Sequence, residues 1–430
     1  MLGLGMASAA NAVVVVGGDN GWEVSFDGNI NAFYVMSDND AGWDNLGFTS
    51  PDQAAGSGFS GNEEEISRVT SGFLPAFFSF NVKSPTVNGL TATGRFSFAP
   101  TINNSTTKNQ LYASGNLNGD AINGIQGASI DTREVVVNID GGFGTVSFGR
   151  TLSIFGRQAI LNDMTLFGVG MANMDGAAVT AGRIGRGYTY PNFNARFSYK
   201  TPVFSGFQAE VGLYDPSVEE LNGPGLGAPL VLDQTDTPRF EGELTYATTF
   251  ANGAFKAWVD GLWQDLESTA PTATDDATVV GWGAGATASY MGFGLTGYYY
   301  DGEGLGRSLQ FAGGTACNAT GTSCEEAEND GYYVQGTYTF NGKTKIGASY
   351  GESNQDAFNA LGMVTAVGDQ DVELSMWTVG VYHDVNSWLK LIAEYSKSEN
   401  EYSANANSLN PTFSGSTESD TFSLGTFFVW

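Results

Sequence analysis

Histidine occurs once in 430 residues, cysteine twice, and lysine and arginine together 18 times against 46 acidic residues. Each scarcity excludes something. The single imidazole, His383, sits beside a short turn, so a Ser-His-acid hydrolase has no histidine at an active height. One histidine and two cysteines fall short of an ordinary four-ligand zinc site. A net charge of −28 rules out a nucleic-acid binder driven by phosphate contacts. Charged residues make up 15% of the chain, against about 25% in a typical globular domain. After the N-terminus no run of eighteen apolar residues occurs, so spanning helices are excluded. The chain reads as a non-enzyme with no cofactor and no metal.

What the chain has is glycine, 59 residues, and aromatic residues at 13%, with a mean hydropathy of only −0.13. Period-two alternation puts this composition to use. Trp22, Val24, Phe26, Ile30, Ala32 and Tyr34 share one face of a strand, and Glu23, Ser25, Asp27, Asn29 and Asn31 the other. Phe193, Ala195, Phe197 and Tyr199 likewise oppose Asn194, Arg196, Ser198 and Lys200. A charge facing lipid costs ~2–4 kcal/mol at the bilayer midplane, so charges set opposite aromatics mark the wall of a membrane barrel.

About sixteen such segments run from 21–36 and 72–83 through 187–200 and 331–340 to 387–397 and 420–430. Short turns such as Pro85–Asn88, Ala251–Asn252 and Asp384–Asn386 alternate with long polar stretches such as 37–66, 100–131, 151–186 and 301–330. The fold class is all-β: a transmembrane antiparallel β-barrel with short periplasmic turns and long extracellular loops. Neither the fixed blade length of a propeller nor the linkers of stacked sandwiches are present.

Residues 1–12 read as the tail of a secretory signal, with the apolar run Leu2–Met6 and the cleavage pattern Ala10-Asn11-Ala12. Residues 13–430 then form one barrel domain. Cys317 and Cys324 should pair in an oxidising compartment, closing a short loop for ~2–3 kcal/mol on the chain-entropy model. At the other end, Phe422, Leu424, Phe428 and Trp430 share one strand face. Such a strand needs a partner along its edge. In a closed barrel that partner is the strand from Trp22.

The run Gly142-Phe143-Gly144-Thr145-Val146-Ser147-Phe148-Gly149-Arg150 resembles the strand before the constriction loop of Gram-negative general diffusion porins of the trimeric, 16-stranded proteobacterial type. Tyr199-Lys200-Thr201-Pro202 followed by Phe204-Ser205-Gly206-Phe207 is similar to that family's turn after the sixth strand. The terminal Gly425-x-x-Phe428-x-Trp430 is similar to the signal read by the outer-membrane barrel assembly machinery. The resemblance implies a homotrimer in the outer membrane of a Gram-negative bacterium, in contact with lipid and lipopolysaccharide, whose third loop, 151–186, folds into the lumen. It also implies a constriction with arginines on the wall, Arg95, Arg133, Arg150 and Arg196, facing acids on the loop, Asp163 and Asp175, with Arg157 alongside. Arginine suits such a place because its charge does not titrate away. The alternative is that these arginines pair within the wall with Glu134, Glu210 or Glu241.

Two parities depart from that pattern. Arg150 shares the outward parity of Val146 and Phe148 and reaches the lumen only past a strand end or bulge. Arg68 matches the outward parity of Phe78, with Pro75 as a break between them. The loop is also rich in Met164, Phe167, Met171 and Met174, which favours apolar packing against the wall.

Lys83, Lys200, Lys256, Lys343, Lys345 and Lys390 gather near the short turns, while carboxylates such as Asp38, Asp40, Asp275, Asp276, Glu325 and Glu326 concentrate in the long loops. Those acids attract cations to the mouth, or only keep it soluble and bridge divalent ions between lipopolysaccharides. The expected function is passive diffusion of small hydrophilic solutes and ions, with a weak cation preference. Two alternatives stand beside it: a sugar- or dicarboxylate-selective channel using Tyr298–Tyr300, Tyr332, Tyr333, Trp258 and Trp388 as a stacking track, and an adhesin or structural barrel whose acidic loops bind partners.

Overall fold

The computed structural model describes residues 13–18, 20–40, 64–100, 102, 130–172, 179–216, 232–234, 236–268, 272–308, 310–311, 314–317, 321–356, 370–404 and 413–430. The signal remnant expected at 1–12 lies outside them. The strands begin with β1 (Val13–Gly17), β2 (Glu23–Asn39), β3 (Glu64–Thr70), β4 (Phe77–Lys83), β5 (Thr91–Pro100), β6 (Ile130–Gly141) and β7 (Gly144–Leu152). A short helix α1 (Arg157–Asn162) and a 3-10 turn (Met164–Phe167) follow, then β8 (Phe193–Lys200), β9 (Phe207–Tyr214), β10 (Leu232–Gln234), β11 (Arg239–Phe250), β12 (Gly253–Ser268), β13 (Ala277–Tyr290) and β14 (Phe293–Glu303). The chain ends with β15 (Thr315–Cys317), β16 (Cys324–Glu326), β17 (Glu328–Phe340), β18 (Thr344–Gln355), β19 (Gln370–Asp384), β20 (Leu389–Ala404) and β21 (Phe413–Val429).

Nineteen of these segments share one antiparallel sheet. β3 and β4 lie end to end along β2, and β1 and β10 are short additions, which leaves sixteen wall positions. The wall closes where β2 meets β21, from Asn29 opposite Val429 to Asn39 opposite Ser419. Closure removes the edge that the last strand would otherwise expose. Below it, Trp430 and Gly28 exchange backbone hydrogen bonds of 3.2 and 3.3 Å.

Alternation sets the two faces. Asn31, Phe33, Val35 and Ser37 point inward and are buried, whereas Ile30, Tyr34 and Met36 point outward and are exposed. The short turns use residues that tolerate positive φ. Asn88 and Gly89, at φ 53° and 78°, connect Val87 to Leu90, which exchange two backbone hydrogen bonds.

Three departures from the sequence reading have physical causes. Several strands run further at the extracellular end than apolar alternation suggested: β20 reaches Ala404 and β21 starts at Phe413. Pairing continues above the apolar belt, where the outward positions turn polar. There the register sets Asp301 opposite Asp330, Glu399 opposite Glu418 and Asp38 opposite Asp420. Second, the strand expected at 72–83 starts only at Phe77, and β3 begins at Glu64, inside the loop expected at 37–66, and runs to Thr70 ahead of the expected strand. Residues 71–76 leave the ladder, and the parity flips across the gap. Arg68 therefore stands opposite inward Val35, while Phe78 stands opposite Gly28 on the outward parity. Third, 301–330 is not simply an extracellular loop. Part of it turns into the barrel, and a hairpin of β15 and β16 carries the Cys317–Cys324 disulfide.

Candidate functional site

The third long connection, between β7 and β8, crosses the lumen. Among its described residues Ile154, Phe155, Ala159, Val169, Ile184 and Tyr188 are at most 1% exposed. A backbone led through a barrel must find partners for its N–H and C=O groups. Wall side chains supply them in sequence. The N–H groups of Ile154 and Phe155 donate to Glu241 Oε2 at 2.7 and 2.9 Å, and Gly156 N–H donates to Asp260 Oδ2 at 3.2 Å. These satisfy donors just ahead of α1, whose N-cap, Gly156, has no side chain to do so. Further along, Met164 N–H donates to Gln335 Oε1 at 2.6 Å.

On the far wall, the N–H groups of Val169 and Gly170 both donate to Glu394 Oε2, at 2.6 and 2.9 Å. Gly168 packs so closely there that a Cβ would meet the Glu394 carboxylate at 2.0 Å. Its carbonyl accepts from Phe73 N–H at 2.8 Å, so the gap between β3 and β4 is where the loop tip docks. Returning, Arg183 Nη1 donates to Met376 O at 2.8 Å and Arg186 Nη2 to Asn400 Oδ1 at 2.5 Å. Gly187 N–H donates to Ser353 Oγ at 2.9 Å.

The arginines named from the sequence fall in three places. Arg95 faces the lumen from β5 and is held by Asp27 at 2.9 Å and Glu134 at 2.8 Å. Arg196 and Arg157 share Glu210, at 3.2 and 2.8 Å, and Arg157 also reaches Glu243 at 2.9 Å. Burial opposes the charge of Arg157, but Glu243 and Glu210 more than offset this and raise its pKa. Arg133 is the extra residue of a bulge between the pairs Ser97–Glu134 and Phe98–Thr132. The bulge lets Arg133 and Glu134 both turn inward, and Arg133 bonds Asp131 at 2.5 Å and Tyr190 Oη at 2.8 Å. Arg150 does not join them. Its register sets it opposite Val135 and Ala195, both exposed on the outer face, and no bulge interrupts β7.

The expected opposition of wall arginines to loop acids is not assembled. Asp163 caps the 3-10 turn through Thr165 N–H at 3.0 Å, accepts from Tyr188 Oη at 2.8 Å, and lies 3.9 Å from Arg183. It does not face the wall arginines, and Asp175 lies outside the described residues. The wall arginines instead pair with carboxylates of the same wall: Arg95 with Asp27 and Glu134, Arg133 with Asp131, Arg196 with Glu210, and Arg239 with Glu241.

Sequence reasoning missed Arg183 and Arg186, the cations that the loop carries to the far wall, where burial and then the Arg183 charge lower the pKa of Arg186. The signal was present in Gly182-Arg183-Ile184-Gly185-Arg186-Gly187, the only cations in the second half of the loop. Glu394 was missed too, although it is an inward-parity acid between outward Ala393 and Tyr395. Below the loop the expected lysines line the periplasmic side. Lys256 Nζ donates to Gln158 Oε1, and Lys390 lies 6.0 Å from the Phe167 ring.

Cys317 and Cys324 are joined, seven positions apart. Phe428 is exposed on the outer face, and Trp430 packs 5.4 Å from the Phe26 ring and 5.2 Å from that of Phe78. A Cβ on Gly425 would meet the Phe33 ring at 2.2 Å.

A closed sixteen-stranded wall, apolar outside and polar inside, with one loop fixed across it, defines a channel-forming barrel of the outer membrane. The family model for Gram-negative porins matches residues 1–418, and the chain belongs to that family. No curated protein matches it. Among solved structures it is similar to the outer-membrane channel DcaP of Acinetobacter baumannii, at 15% identity and a TM-score of 0.62, covering 97% of this chain and all of that one. It is also similar to an anion-selective porin from Comamonas acidovorans, at 13% identity and a TM-score of 0.58, over 95% of this chain and 100% of the other. A loop-deleted OmpT of Vibrio cholerae aligns at 16% identity and a TM-score of 0.52, over 95% and 99%. The protein is thus a multi-pass outer-membrane porin, a route for passive diffusion.

Proposed function

We propose that it is a general diffusion porin for small hydrophilic solutes and ions, working as a homotrimer, with its narrowest section where the third loop meets the wall at Arg95, Arg133, Arg157 and Arg196. The observation that carries this is the anchoring of that loop at its start by Glu241 and Asp260, midway by Gln335, at its tip by Glu394 and at its return by Asn400 and Ser353. A loop so held is a fixed partial obstruction rather than a moving gate.

Weak cation preference follows from the same contacts. The Comamonas relative is described as anion-selective, but here Arg95, Arg157 and Arg196 each contact a carboxylate within 3.2 Å, which leaves the acidic mouth to set the sign. A stacking track for sugars has little support. Trp258, Tyr298, Tyr300 and Tyr333 do face the lumen, but each is at most 4% exposed. Tyr333 donates to Ala159 O of the loop at 2.9 Å, so the rings are used in packing. Tyr332 and Trp388 stand on the outer face.

In this reading Gly425, Phe428 and Trp430 are the signal for the barrel assembly machinery, and lipid and lipopolysaccharide surround the wall. Purified protein in planar bilayers should give stepwise conductance, in groups of three, and a reversal potential of cationic sign in a salt gradient. A trimer that inserts and never conducts would refute the channel, and an anionic sign would refute the preference.

A further inference from the structure

The third loop is not the only chain inside the barrel. After β14 the backbone turns inward at Gly304 and Gly306, both left-handed at φ 74° and 78°. Leu305, Arg307, Ser308, Gln310 and Phe311 are all buried. Phe311 N–H donates to Leu305 O at 2.8 Å, and Gly306 N–H donates to Asn329 Oδ1 at 3.1 Å, which closes a compact turn. At its base Gly304 N–H donates to Ala327 O at 2.9 Å and Ala327 N–H to Gly314 O at 2.8 Å, next to the disulfide-linked hairpin.

This turn rests on the third loop. Tyr190 N–H donates to Ser308 O at 2.8 Å, and Gln310 Nε2 donates to Phe155 O at 3.5 Å. A Cβ on Gly185 would meet Ser308 Oγ at 2.2 Å. The two infolded segments were built to touch.

Phe311 is the residue with a target. Its ring lies 5.4 Å from the Arg239 guanidinium carbon, and the Tyr214 ring lies 4.7 Å from the same atom. Arg239 is fully buried. Its Nε contacts Glu241 Oε1 at 3.1 Å, which makes the pair neutral at a distance. Its Nη1 has no hydrogen-bond partner among the described residues. A buried guanidinium donor left unpaired is uncommon. Such a donor binds anions at short range, because the planar fork matches carboxylate and phosphate oxygens.

We propose that the inward turn of the sixth loop is a second constriction element and that Phe311 covers an anion-binding guanidinium on the wall, Arg239, withholding it from permeating ions. The proposal rests on the reading of the barrel as an open channel. With the cover in place, small anions such as chloride, phosphate or a carboxylate cannot reach Nη1, and the acidic mouth decides selectivity. With the cover removed, the same wall offers anions a site.

The test compares wild-type protein with Phe311→Ala, Phe311→Leu and the double variant Phe311→Ala/Arg239→Gln in planar bilayers under a potassium chloride gradient. Folding of each is confirmed by its heat-modifiable band on a denaturing gel. Wild-type conductance tests the channel reading; the difference between variants tests the cover. Phe311→Ala should raise conductance and lower the potassium-over-chloride permeability ratio by about two- to threefold. Phe311→Leu should stay near wild type, and adding Arg239→Gln should restore the ratio. An unchanged ratio in Phe311→Ala overturns the proposal, as does a shift that persists without Arg239. Should Phe311→Ala not fold, Phe311→Val carries the same expectation at smaller size, and no shift there overturns it equally.

Discussion

The two sides of the lumen are built from different chemistry. From β5 to β12 the inward positions carry Arg95, Arg133, Arg196 and Arg239 interleaved with Glu134, Glu210, Glu241, Glu243 and Asp260. From β18 to β21 they carry Ser349, Ser353, Thr378, Ser396, Ser398, Asn400, Ser419, Thr421 and Ser423, and Glu394 is the buried acid among them. The third loop answers each side differently. It offers backbone N–H groups to both, but brings one cation, Arg157, to the charged side and two, Arg183 and Arg186, to the hydroxyl side. An ion pair spread over one wall has little net field at a distance. On the far side the loop carries its own acid, with Asp163 3.9 Å from Arg183, and the facing wall contributes Glu394 among its hydroxyls. The charged side is thus compensated within the wall, whereas the hydroxyl side meets charges that the loop brings with it.

The comparison breaks most sharply at Glu210. Three cations depend on it: Arg157 at 2.8 Å, Arg196 at 3.2 Å and Lys200 at 3.5 Å. Glu210→Ala leaves buried positive charge uncompensated and should destabilise the barrel by about 3–5 kcal/mol, read as a lower urea midpoint in lipid vesicles. A midpoint within error of wild type would mean that water already solvates the cluster and that the charged side is not a structural unit.

Fold and site were legible to different degrees for a physical reason. Period-two alternation is imposed on every strand by the lipid outside, so the barrel, its closure and the inward parity of Arg95 and Arg196 could be read directly. Beyond the apolar belt that constraint ends, and β20 and β21 ran past the segments expected. The loops obey no period. The docking of Gly168 at Glu394 and of Phe311 over Arg239 is decided by contacts between residues hundreds of positions or several strands apart. Arg133 shows the limit within a strand. Arg133 and Glu134 cannot both face inward in regular pairing, and only the bulge, unmarked by glycine or proline, reconciles them.

On the hydroxyl side the largest effect should come from Glu394. Replacing it by alanine strands the N–H groups of Val169 and Gly170, at a cost of about 2–3 kcal/mol for the two donors. The loop tip should then move, giving noisier and larger single-channel currents. Glu394→Gln keeps one carbonyl oxygen as acceptor and should recover most of the quiet state. Equal noise in both variants would show that charge, rather than hydrogen bonding, holds the tip.

Arg95 sharpens the comparison through selectivity. It is 18% exposed and sits between Asp27 and Glu134, which are 4% and 16% exposed. Arg95→Ala would leave Asp27 and Glu134 without their counter-charge and should raise cation preference by about twofold. A change toward anions would mean that Arg95 is not the counter-charge its contacts imply.

The smallest effect belongs to Ser396, whose hydroxyl lies 2.9 Å from Thr378 Oγ1 between neighbouring strands. Both groups are neutral, so Ser396→Ala removes a single hydrogen bond worth about 1 kcal/mol or less. It places no charge near the permeating ions, so the permeability ratio should remain that of wild type. If the ratio moved as far as it does for Arg95→Ala, the hydroxyl side would be conducting the ions itself, by direct coordination, and the division of the lumen into a charged frame and a neutral one would be wrong.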